Sequence, residues 1–154
     1  MKRTLGLTLL LFATLFSCMR QEKPLPAELS RAESVMWEHP DSALSILRSM
    51  PQSSLSSGKN YATWALLLAQ ARDKVYGKRL PDSLNIPSSD KLVQDAMDYF
   101  EKEGDLKRMA QTYYYKGQLL KDQKKITEAM PFFLKSKEMM TKLDEPLFTY
   151  LICQ

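Results

Sequence analysis

Apolar positions along this chain recur at helical spacing, and stretches rich in polar residues, glycine or proline separate them. Over 27–38 the pattern predicts a helix from Ala27 to Glu38 that buries Leu29, Val35 and Met36, with Trp37 as a further candidate. His39-Pro40-Asp41 follows. A helix usually ends before the residue preceding proline, and Asp41 can cap the next helix, which carries Ala43 and Leu47. A second pair is predicted from Asn60 to Val75 and from Asp90 to Lys102, the latter launched by Ser88 or Ser89 and stopped by Gly104. Two more helices fill Ala110 to Leu143. Five glycines and the lack of alternating β-branched runs argue against a sheet, so the fold class is all-α.

The helices repeat. Ala96-Met97-Asp98-Tyr99-Phe100 and Ala129-Met130-Pro131-Phe132-Phe133 share a small-Met-x-aromatic-aromatic pattern 33 positions apart. Trp64 and Leu67 match Tyr113 and Lys116 at a displacement of 49, and Arg72-Asp73-Lys74 falls over Lys121-Asp122-Gln123 in the same register. The extra residues then fall between the two helices of the earlier pair, where 77–87 holds two prolines that exclude a continuous helix. A period near 34 in a helical chain signals stacked hairpins, because one hairpin cannot bury its apolar face alone.

Tyr113-x2-Lys116-Gly117-x2-Leu120 followed by Ala129-x3-Phe133 resembles the tetratricopeptide repeat (TPR). Lys116 stands where the family has leucine, Leu120 where it has tyrosine and Thr141 at the closing proline. The resemblance implies antiparallel helical hairpins stacked as a TPR-like α-solenoid over 27–154, with hairpins at about 27–50, 60–103 and 105–143 and an incomplete one at 145–154. Gly117 and Ala129 are expected where the two helices of a hairpin meet, with Phe133 beside them. Trp64, Ala96 and Phe100 are their structural counterparts in the preceding copy.

Met1-Lys2-Arg3, the apolar run Leu5 to Phe16 and Leu15-Phe16-Ser17-Cys18 resemble a bacterial lipoprotein signal. The apolar run is too short to cross a bilayer as a helix, which takes ~20 residues. The resemblance implies a signal peptide at 1–17, lipid on Cys18 and a polar tether over 18–26. It places the protein in the cell envelope, at the outer membrane or on the periplasmic side, with the lipid as its membrane contact.

The formal net charge of +4 includes Lys2 and Arg3, so the chain from Cys18 onward carries about +2. Its basic residues alternate with acids, as in Lys91 with Asp95 and Lys102 with Asp105, where nucleic acid would favour a one-signed stripe. No nucleic-acid partner is therefore expected of this segment. Cys153 is the cysteine that lipid would leave, which allows no disulfide framework, and it reads as a small core residue. His39 is the single histidine and stands at a turn. No nucleophile, phosphate-loop or HExxH motif accompanies it, so catalysis and metal binding lack support and no cofactor is implied.

What remains is recognition of another protein or an extended peptide. In TPR proteins the concave face is lined by the first helix of each repeat, and the resemblance carries that role onto Gln111, Tyr114, Gln118, Lys121 and Asp122. The preceding copy supplies Ala62, Ala65, Ala69, Arg72 and Asp73. Tyr114 could anchor a partner by its ring and hydroxyl, and Arg72 or Lys121 could take an acidic group. Two other readings are a glycan-binding lipoprotein of the SusD type, against which the absence of aromatics in 77–87 tells, and the sensor part of a longer membrane-bound transcriptional regulator. Leu147, Phe148, Leu151 and Ile152 fall on one side of a helix, so 147–153 is expected to be an interface for self-association or for chain that continues beyond Gln154.

Overall fold

The computed structural model describes residues 24–77 and 88–143. The expected signal peptide, Cys18, most of the expected tether, residues 78–87 and the 147–153 segment with Cys153 lie outside the described residues. Within them the chain is all-helical, with six α-helices and no strand. These are α1 (Ala27–Val35), α2 (Pro40–Ser49), α3 (Gly58–Tyr76), α4 (Ser89–Glu103), α5 (Leu106–Asp122) and α6 (Ile126–Lys142), with a 3-10 turn at Gln52–Leu55 before α3.

Local chemistry sets most of the ends. Ser57, Ser88 and Asp105 each cap a helix, accepting from the backbone N–H of Asn60, Lys91 and Arg108 at 3.1, 3.3 and 3.0 Å. Gly104 closes α4 at φ 75°, a left-handed conformation that costs glycine nothing. Two expectations at the first hairpin are corrected. α1 ends at Val35, three residues early, where the Met36 N–H bonds the Glu33 carbonyl only three residues back at 3.3 Å and the chain passes into a turn. Asp41 does not cap α2 either: His39 is the N-cap without a side-chain bond, Pro40 takes the first helical position, and Asp41 sits in the first turn, where its charge favours the helix dipole.

Each helix packs against the next, and α3 also touches α1 and α5. α3 is therefore the centre of the molecule, and every residue from Ala62 to Arg72 is buried. A helix buried all round needs small and apolar residues on every face, and the alanines at 62, 65, 69 and 71 with Leu66-Leu67-Leu68 supply them. The main core gathers Leu29, Met36, Leu47, Leu66, Leu92 and Phe100, among others, from α1 to α4, and Tyr115 joins it from α5. A smaller cluster around Ala110 and Met140 lies between α5 and α6.

The repeat residues occupy close-packed positions. Trp64 is buried and donates its indole N–H to the Leu47 carbonyl at 2.9 Å; Ala96, Phe100, Gly117 and Ala129 are buried, and Phe133 is half-buried across Gly117. Lys116 has only 15% of its side chain exposed, and its ammonium reaches Asp90 of α4 at 2.9 Å. Trp37 departs from expectation: it is 44% exposed, and the Lys74 ammonium sits 3.5 Å from its ring centroid.

Candidate functional site

α3 and α5 are the helices that the repeat register aligns, and they share one cavity of about 220 Å³ with the start of α4. Ala69, Val93, Leu119 and the ring of Tyr115 form its apolar side. Asp73, Gln118 and Asp122 supply polar lining, joined by Ser89 and Gln123. Three of the seven charged or polar residues that the register selects are thus brought together, from positions far apart in the chain. Ala69 joins them, while Ala62 and Ala65 are core residues.

The other four are arranged around it differently. Tyr114 is half-buried, and its hydroxyl accepts a hydrogen bond from Gln118 Nε2 at 2.8 Å, which orients the Gln118 amide. Lys121 is exposed and close enough to lower the pKa of Asp73 somewhat. Arg72 is 6% exposed and so is not displayed at the surface; burial lowers its pKa. Gln111 is likewise 6% exposed, and its Oε1 accepts from Arg108, whose other guanidinium nitrogen pairs with Glu33 of α1 at 2.7 Å. Gln111 and Arg72 thus belong to the interior, and the register residues that line the cavity lie toward the C-terminal ends of α3 and α5.

The electrostatics of the cavity are acidic. Burial raises the pKa of Asp73 and the neighbouring Asp122 carboxylate raises it further; Lys74 and Lys121 oppose both and do not cancel them. The Tyr115 hydroxyl is pushed well above its ordinary range by burial, then by the charge of Asp73, and a hydrogen bond with Gln70 works the other way. Gln118 Oε1 is buried and has no hydrogen-bond partner among the described residues, an arrangement that costs a folded protein free energy unless something else satisfies it.

Sequence reasoning missed Tyr115, Val93 and Ser89. Tyr115 is adjacent to a selected position, and the helical turn that sends Tyr114 outward sends Tyr115 into the cavity wall. Val93 and Ser89 come from α4, whose approach to the site depends on the packing of three helices and leaves no trace in spacing. Among the described residues no cluster of three His, Cys, Asp or Glu side chains is placed to hold a metal, and no helix is long and apolar enough to cross a membrane. Compared with protein-family models, curated proteins and solved structures, the chain matches none.

Proposed function

We propose that this chain is a TPR-like stack of helical hairpins that binds a protein or an extended peptide segment, held in the cell envelope by lipid on Cys18. The observation that carries the reading is the convergence of Asp73, Gln118 and Asp122 on one cavity from two different helices, in the register that the repeat alignment picks out. Side chains presented from successive first helices are what a repeat stack offers an elongated partner. Close helix packing at Gly117 and Ala129, with polar residues toward the ends of α3 and α5, suits a scaffold whose specificity lies in a few positions.

Two measurements test the two halves of this reading. An array of peptides of varied sequence, probed with the full chain in detergent, should give a reproducible subset of binders that Gln118→Ala weakens. Indiscriminate binding, or a subset that Gln118→Ala and Asp122→Ala leave unchanged, overturns the recognition reading. Detergent-phase partitioning in the native host should be lost with Cys18→Ser, and retention of that partitioning overturns the lipid anchor.

A further inference from the structure

We propose that the cavity between α3, α4 and α5 is a binding site for an alkylammonium group, either the end of a lysine side chain or a small free primary amine. The proposal rests on the reading that this face of the helix stack binds a ligand, and it names the chemistry of that ligand.

The walls and the polar groups point the same way. Ala69, Val93, Leu119 and the Tyr115 ring offer an apolar surface suited to a methylene stem, while Asp73, Asp122 and Gln118 offer oxygens suited to an ammonium head. An ammonium has three donors and no acceptor. The buried Gln118 Oε1 lacks a hydrogen-bond partner among the described residues, and a donor arriving in the cavity would satisfy it. A cation there would also offset the repulsion between Asp73 and Asp122, which adds to the effect of burial in pushing the Asp73 carboxyl up.

Other ligand classes fit less well. An anion would meet two carboxylates; among the described residues the nearby cations are Lys121, which is exposed, and Lys74, whose ammonium lies over the Trp37 ring. A bare divalent ion would leave the apolar walls unused. The volume of about 220 Å³ lies below the ~300 Å³ typical of sites for drug-sized ligands, so it suits one side chain or a short alkyl group.

The test uses the full chain in detergent micelles and calorimetric titration with three probes: N-acetyl-lysine methylamide, butylammonium, and N-acetyl-norleucine methylamide as the neutral analogue. The lysine derivative should bind saturably, and the norleucine analogue should bind roughly tenfold more weakly or worse, as loss of a charge-assisted bond requires. Binding of butylammonium as well shows that a free amine suffices; binding of the lysine derivative alone shows that the group is presented by a peptide. The variant carrying both Asp73→Asn and Asp122→Asn should lose the preference for the charged probe while unfolding no earlier than the parent protein. Equal binding of the norleucine analogue, or no saturable binding of either amine, overturns the proposal, and both readouts use the unaltered protein. Peptides that bind the chain irrespective of lysine content would overturn the ammonium site and leave peptide recognition standing. Amine binding without any peptide binder would do the reverse.

Discussion

A Cβ atom added to Gly117 would lie 2.7 Å from Cε1 of Phe133, and two further atoms of the same ring would be within 2.9 Å. The backbone of α5 and the aromatic ring of α6 thus touch with no room for a methyl group. Alanine is the better helix former by ~1 kcal/mol, but the clash forces the ring off its place against Tyr114, and overpacking costs ~1–3 kcal/mol. Gly117→Ala should therefore destabilise the protein by ~1 kcal/mol in urea denaturation. Combined with Phe133→Leu it should cost less than the sum of the two single changes. Strict additivity would show that the contact does not limit the packing of this hairpin.

Trp64 joins α3 to the end of α2. Its indole N–H satisfies the Leu47 carbonyl, one of the last-turn carbonyls that have no partner within the helix. Trp64→Phe keeps most of the apolar bulk and leaves that carbonyl unsatisfied, so it should cost ~1–3 kcal/mol. Equilibrium unfolding measures this, and a loss well under that range would mean that water reaches the Leu47 carbonyl.

Asp73 is a carboxylate whose ionisation the fold disfavours. Its folded pKa lies above the ordinary 3.8, so the penalty is absent below that pH, where both states are protonated, and is fully present at neutral pH. Asp73→Asn should accordingly raise the unfolding midpoint at pH 7 and give no gain below about pH 3.8. A gain that persists unchanged at low pH would assign the effect to something other than charge.

Tyr113 behaves in the same sense at the alkaline end. Burial, followed by its 2.6 Å hydrogen bond to Glu101 and the charge of that carboxylate, pushes its hydroxyl up to about 12 from the ordinary 10.0. The folded state keeps this proton where the unfolded chain releases it, so its contribution to stability is intact below pH 10 and is lost as the pH rises toward 12. Urea midpoints measured across that interval should fall, and Tyr113→Phe should make the fall shallower. An identical slope in the variant would place the alkaline sensitivity elsewhere, with Tyr115 the next candidate.

By itself the sequence determined the local features of this protein. A cap at Ser88 or Ser89, of which the structure uses Ser88, and the stop at Gly104 were legible because a capping bond and a positive φ are made within four residues and need no partner from elsewhere. The close approach at Gly117 was legible from the resemblance to the TPR, whose pattern puts a glycine where the two helices of a hairpin meet. Only the tertiary structure decided which faces meet. Trp37 lies in an apolar stretch yet is exposed, Gln111 and Arg72 are polar yet buried, and the cavity takes a wall from α4 that no spacing predicted. Asp73, Gln118 and Asp122 could be named from register, but their common cavity could not. Whether side chains on three helices enclose a space depends on interhelical distances and angles, and those follow from the summed fit of every contact along α3, not from any short stretch of chain.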